Sequence, residues 1–504
     1  MQTARYLVAL SCACASVACG TEVAVAVRPA PEGERPAQCN SPRIVDRLTY
    51  GRVPLPEGVR YRRAPQSYFG MPQDERIALA RSKSNVTLVA WLNNAGTDVH
   101  VTPLAVTKTE IGRFSPDFVV PGTELSGLVA HDDGFAILTR RPDLGDPLGG
   151  NGTQAQATYL VRWQNAVGET FSVPLTGTSS ITNADLSEKR DYPIGQSGRL
   201  AFNGTHYGAY FSARGFTRAA TNDQRPNDRY AGQLGDKFVQ VDDRGRLVNA
   251  WRMGCRQSLG SRLVAEASGF VMFCMSEGTI GDPGVNLVWG PFDAREGRHL
   301  AFEAAPSPEQ EFGYAGGNFG SAVKTPAGYL VAWAARGVAT PLDRDSPDAL
   351  FQSHDVAVVT LNSSLEPTER DWPFLPPPRS EPASDVVNVH AAPYGNNVLV
   401  VWETIEKPEF RPGMMSNQGF STGGYGGTHF RFLDAAGKEA SKEEVVQRAI
   451  APNGPDDIVQ LSNGDLLWAY VPEQQRDFET LVTNVSNQPI IQEISFVRLL
   501  YCPP

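Results

Sequence analysis

Positive charge is scarce in this chain, and lysine scarcest of all. Of 504 residues, 45 are Lys or Arg against 55 Asp or Glu, and only 8 of the basic residues are lysines. A formal net charge of -10 gives no general attraction for a phosphate backbone, which excludes nucleic acid as a partner. Long apolar runs are missing too: none approaches the roughly 18 residues of a membrane-spanning helix. Beyond residue 19 there are four cysteines, Cys39, Cys255, Cys274 and Cys502, and no Cys-x-x-Cys pair, so a thiolate-held metal or a dithiol redox centre is not expected. His-Glu-x-x-His and the P-loop are absent, and a Gly-x-Ser-x-Gly nucleophile elbow is not expected. His100, His131, His206, His299, His354, His390 and His429 show no metal-ligand spacing.

What is abundant is turn-forming and apolar material: 48 glycines, 38 prolines and 41% hydrophobic residues, with charged residues at only 20%. Such a chain can bury a core and turns often, which points to an all-β protein. One local pattern recurs seven times. An apolar strand of four or five residues enters a polar turn, usually with glycine, and a second apolar strand leaves it. The copies are RIALARSKSNVTLVAWL (76–92), GLVAHDDGFAILT (127–139), RLAFNGTHYGAYFSA (199–213), RLVAEASGFVMFC (262–274), SAVKTPAGYLVAW (321–333), VVNVHAAPYGNNVLVVW (386–402) and DIVQLSNGDLLWAY (457–470). Gly134, Gly208, Gly269, Gly328, Gly395 and Gly464 are read as turn glycines. Period-2 stretches such as TYLVRW (158–163) and HDVAVVTLN (354–362) lie between copies and supply further strands. Repeated hairpins at this spacing predict a β-propeller of seven four-stranded blades over residues 46–504. In overall design the chain resembles extracytoplasmic β-propellers, without a Trp-Asp or kelch signature. One helix is expected, Ser441–Ile450, opened by a Ser441/Glu444 capping box.

The N-terminus places a charge, Arg5, before an apolar run from Tyr6 to Ala18, the layout of a signal peptide over residues 1–18. Ser16-Val17-Ala18-Cys19 resembles the cleavage region of bacterial lipoproteins, which implies lipidation at Cys19; the same small-x-small box also fits plain secretion. Residues 19–45, rich in Pro and charge, read as a tether. The expected location is therefore outside the cytoplasm of a bacterium, with the membrane met only through a lipid anchor. In that oxidising setting the four remaining thiols are expected as Cys255 with Cys274, across one hairpin, and Cys39 with Cys502, joining the chain ends.

Propellers gather the starts of their innermost strands around one central mouth. In register, those starts carry Arg76, Gly127, Arg199, Arg262, Ser321, Asn388 and Asp457, mostly polar where a filled interior would be apolar. Arginine forks match carboxylates, so Arg76, Arg199 and Arg262 with Ser321, Asn388 and Asp457 are the candidate ligand-binding residues. The competing reading pairs the arginines with Asp74, Glu75, Glu266 or Asp457. A monomeric binding or scaffolding module for a glycan, peptide or protein follows; the alternative is a glycan-active hydrolase of the sialidase type. The sialidase Asp-box, Ser-x-Asp-x-Gly-x-Thr-Trp, is not found, and Ser462-Asn463-Gly464-Asp465 is a loose echo only. No catalytic residue and no cofactor is expected. Ser321 and Lys324 match Ser-x-x-Lys but stand on opposite faces of a strand, while Asp343, Asp345 and Asp348 form an acidic loop that offers carboxylates to calcium.

Overall fold

The computed structural model describes residues 39, 41–59, 76–107, 110–144, 157–175, 190–193, 198–216, 234–252, 260–276, 284–289, 298–302, 319–336, 353–368, 374–375, 384–412, 419–452, 457–470 and 491–502. All of them belong to one compact unit, Arg35–Pro504. The leader 1–18, Cys19, Cys255 and the acidic loop at Asp343, Asp345 and Asp348 lie outside the described residues.

The strands form antiparallel sheets in a β-propeller arrangement. Six sheets are each made from one continuous stretch of chain and form six blades. Their innermost strands, in order, are Ala78–Arg81, Gly127–His131, Arg199–Phe202, Gly260–Glu266, Phe319–Thr325 and Ser384–Tyr394. A further sheet is shared by the two ends of the chain: Val459–Gln460 and Leu466–Tyr470 come from the last hairpin, Ile491–Leu499 follows, and the N-terminal strand Leu48–Val59 pairs outside it, Leu48 opposite Leu499. Each innermost strand touches the next, and Val459–Gln460 touches both Ser384–Tyr394 and Ala78–Arg81, so the ring returns to its start. All seven repeated hairpins of the sequence are antiparallel pairs in the structure.

Why the second strands are apolar at consecutive positions is plain from their packing. In a strand, alternate side chains leave on opposite faces, and here each face meets a different neighbouring sheet. Phe135 and Ile137 join the cluster shared with the first blade, while Ala136 and Leu138 join the one shared with the third. Val331 and Trp333 face the fourth blade, and Leu330, Ala332 and Ala334 the sixth. Val398, Val400 and Trp402 face the fifth blade, and Leu399 and Val401 face the sheet that holds the chain ends. These side chains are 0–2% exposed, and burying each of the Val, Leu, Ile and Phe side chains contributes about 1.5–3 kcal/mol of transfer free energy.

Cys39 and Cys502 form a disulfide across 463 residues of sequence. Cys274, at the end of the fourth blade's second strand, is also disulfide-bonded. Beside the first bridge, the Glu444 carboxylate accepts the backbone N–H groups of Ile44 and Val45 at 2.8 and 3.0 Å. That contact corrects the expected helix at Ser441–Ile450. The segment is irregular around a short edge strand, Glu444–Val446, because its two capping groups are committed elsewhere. Glu444 holds the incoming N-terminal chain, and Ser441 Oγ accepts Phe432 N–H at 2.9 Å. Gly208 is also reassigned: it lies within the strand His206–Phe216, opposite Ala201, and Gly204, at φ 105°, takes the turn. A Cβ on Gly208 would stand 2.8 Å from the Phe270 ring of the next blade.

Candidate functional site

The starts of the innermost strands converge at one end of the ring. Arg76 precedes Ala78–Arg81, Arg199 opens Arg199–Phe202, and Arg262 is the third residue of Gly260–Glu266. All three are buried, at 4–5% exposure. Arg76 Nη1 donates to the carbonyls of Ser126 (2.8 Å) and Gly198 (3.1 Å), each just ahead of another blade's inner strand, and Nη2 donates to Asp457 Oδ2 at 2.5 Å. Arg199 Nη1 donates to Gly198 O at 3.1 Å. Arg262 donates to Ser261 O at 2.8 Å and to Phe319 O at 3.4 Å, its guanidinium 5.6 Å from the Phe319 ring centre. The inner strands can approach this closely because small residues stand at the crossings: a Cβ on Gly198 would lie 2.4 Å from Ser126 Cβ.

Asp457 comes from the sheet that joins the chain ends, and its side chain keeps 41% exposure. Burial among the converging strands works to raise its pKa. The Arg76, Arg199 and Arg262 guanidiniums, with His390, outweigh that and hold the carboxyl below the usual range. One carboxylate therefore feels three arginines from three blades and a histidine from a fourth. Of the readings made from sequence, the structure brings the three arginines together with Asp457, and pairs Arg76 with it. Asp74 and Glu75 lie outside the described residues. Glu266 is the partner of Lys324 and Tyr329, so Lys324 does not serve Ser321.

Asn388 sits at a register break between Val387 and His390, with φ at 56° in the left-handed region that asparagine tolerates better than most residues. The break turns its amide inward. Nδ2 donates to Glu403 Oε2 (2.7 Å) and to Pro452 O (2.6 Å), and Oδ1 accepts from His390 Nε2 at 3.0 Å. Ser321, 7% exposed, follows a similar break in the fifth blade.

Gly419-Phe420-Ser421-Thr422-Gly423 does carry the Gly-x-Ser-x-Gly spacing, contrary to the sequence expectation. It runs inside the strand Gly419–Asp434, with Ser421 opposite Phe410, whereas an elbow needs a sharp strand-to-helix turn. Among the described residues, no group of three or more His, Cys, Asp or Glu side chains is placed to hold a metal ion.

No protein-family model matches the chain, and no curated protein matches it. Similar solved structures include a protein of unknown function from Dyadobacter fermentans, 12% identical, covering 90% of this chain and 100% of that one at a TM-score of 0.34. Trypanosoma rangeli sialidase with the inhibitor DANA is 9% identical, covering 71% of this chain and 56% of its own at a TM-score of 0.32. An endo-arabinase from Bacteroides thetaiotaomicron is 11% identical, covering 67% and 85% at a TM-score of 0.26. At these values the likenesses carry no argument about activity.

Proposed function

We propose that the chain is an exported, monomeric binding module that captures an anionic group of a glycan or peptide at the mouth of a seven-bladed propeller. The reading rests on one observation: Arg76, Arg199 and Arg262 are buried at the same end of three blades, where Arg76 binds the Asp457 carboxylate, and the charges of all three favour its ionised form. Three forks around one partly exposed carboxylate suit a second carboxylate, such as that of a uronic acid, a sialic acid or a peptide C-terminus. Ser321 and Asn388 line the same mouth. Seven blades are supported by the closed contact ring of innermost strands and by apolar clusters between every successive pair of sheets. Export is supported by the leader pattern and by the disulfide between the chain ends, with Cys19 as the lipid attachment point and Cys255 as the partner of Cys274. Binding is preferred to hydrolysis because the Asp-box is missing and fold alone confers no activity.

The test is calorimetric titration of the full chain with glucuronic acid, N-acetylneuraminic acid and their neutral counterparts. Arg199→Lys and Arg262→Lys keep the charge but lose the planar fork, and each is expected to weaken acid binding by roughly 5- to 100-fold. Equal affinity for acidic and neutral ligands, or indifference to both substitutions, would refute the proposal.

A further inference from the structure

At the opposite end of the ring from the mouth, the described residues enclose a cavity. It lies between the second and third blades, at the end where the strands turn: His131 ends Gly127–His131, Phe202 ends Arg199–Phe202, and Asp243 and Arg244 form the turn after Leu234–Asp242. Its volume is about 430 Å³, enough for one sugar-sized ring, and it opens to solvent. The two blades are in contact at its edge, where a Cβ on Gly245 would stand 2.9 Å from the Phe171 ring.

Its walls combine ring faces with polar groups of both signs. Phe202 and Tyr207 lie 4.7 Å apart between ring centres, with His131 4.9 Å from Phe202 and Phe171 6.3 Å from Tyr207. His131 Nε2 and Tyr207 Oη share a hydrogen bond of 2.8 Å. Burial, reinforced by the Arg162 charge, pushes His131 down to about 4 against the pull of Asp133 and Asp132, so the imidazole is neutral at neutral pH. Burial likewise pushes Tyr207 up to about 12 and keeps its hydroxyl protonated. Arg162 is bound to Asp133 and to the carbonyl of Phe135 at 3.2 Å, which cancels that charge within the wall. At the rim Asp243 and Arg244 are both exposed and opposite in sign.

We propose that this cleft binds a neutral sugar ring, as one residue of a glycan: Phe202 and Phe171 offer faces to its C–H groups, and Arg244, Asp243 and the His131–Tyr207 pair address its hydroxyls. A sugar hydroxyl both donates and accepts, so it is matched by a wall that holds donors and acceptors in balance. With Arg162 held by Asp133, the rim charges that remain are Asp243 and Arg244, one of each sign, so neither an anion nor a cation is favoured, and a purely apolar ligand would strand the polar groups without partners. Because the cleft is at the far end of the ring from Arg199, its behaviour separates cleanly from that of the mouth.

The experiment is saturation-transfer NMR on the full chain with the methyl glycosides of glucose, galactose, mannose and N-acetylglucosamine, with glucuronic acid as the charged comparison. Saturation transfer to at least one neutral glycoside is expected, with millimolar affinity for a single ring. Phe202→Ala should abolish it, and Arg244→Ala, an exposed turn substitution that leaves the fold intact, should weaken it roughly fivefold. Arg199→Lys should leave it unchanged. The inference is overturned if none of the four neutral glycosides receives transfer, if glucuronic acid alone does, or if the signal survives both cleft substitutions.

Discussion

Replacing both Cys39 and Cys502 with serine removes the bridge between the chain ends without leaving a thiol to mispair with Cys255 or Cys274. The loop it closes spans 463 residues, and for a loop of that size the chain-entropy relation gives about 20 cal/mol/K, or about 6 kcal/mol at 25 °C. Measured disulfides seldom exceed about 5 kcal/mol, so a loss of roughly 3–5 kcal/mol is the expected outcome. The native ends have other ties that survive the change. Leu48–Val59 remains paired along Ile491–Leu499, Glu444 still holds the amides of Ile44 and Val45, and Cys502 N–H, kept in the serine variant, donates to Tyr394 Oη at 3.1 Å. The loss should therefore arise in the unfolded chain, which gains the freedom of its ends. Urea unfolding followed by fluorescence measures it, with hydrogen exchange on 48–59 as a second readout. A change below about 1 kcal/mol refutes the loop argument. Loss of protection in 48–59 under native conditions refutes the claim that strand pairing suffices to hold that sheet together.

Three further outcomes are expected. Asp457→Asn removes the negative charge that competes for the arginines, so an acidic saccharide should bind roughly 3- to 10-fold tighter by calorimetry; weaker binding would mean that Asp457 itself contacts the ligand. His131, held at about 4 in the folded chain against 6.5 when unfolded, takes up a proton more readily in the unfolded state between those values. Stability should therefore rise from pH 4 to 6.5 and level off above, by about 2 kcal/mol once partial exposure is discounted; His131→Gln should flatten that segment of a melting-temperature profile. Ile137→Ala, at a fully buried position between the first and second blades, should cost about 2–5 kcal/mol in urea unfolding, and a loss under 1 kcal/mol would contradict the described packing.

The blade hairpins were legible because both of their determinants are local. Runs such as Leu330–Trp333 are apolar on both faces, and polar turns with glycines such as Gly328 and Gly464 interrupt them at regular intervals. The mouth arginines were legible from register, since equivalent positions in repeated hairpins must come to one end of the ring. Their partner was harder to choose: Asp457 is 381 residues from Arg76 in sequence and no nearer candidate can be discarded without the ring. Ser441 and Glu444 illustrate the opposite failure, a sound local capping signal overridden by amides 400 residues away. His131 shows nothing in sequence beyond the lack of metal-ligand spacing, because its partner, Tyr207, belongs to the next blade. A histidine in one turn and aromatics at the matching turn of the following repeat is the only sequence sign of that cleft, and it emerges only after the repeats are aligned.

Whether the three arginines at the mouth recognise an anionic group is decided by a crystal structure of the full chain grown with N-acetylneuraminic or glucuronic acid. A carboxylate is expected within about 3.2 Å of the Arg199 and Arg262 guanidiniums, at charge-assisted hydrogen-bond distance. A ligand bound elsewhere, or a mouth without it at millimolar concentration, would show that the arginines do not form an anion site.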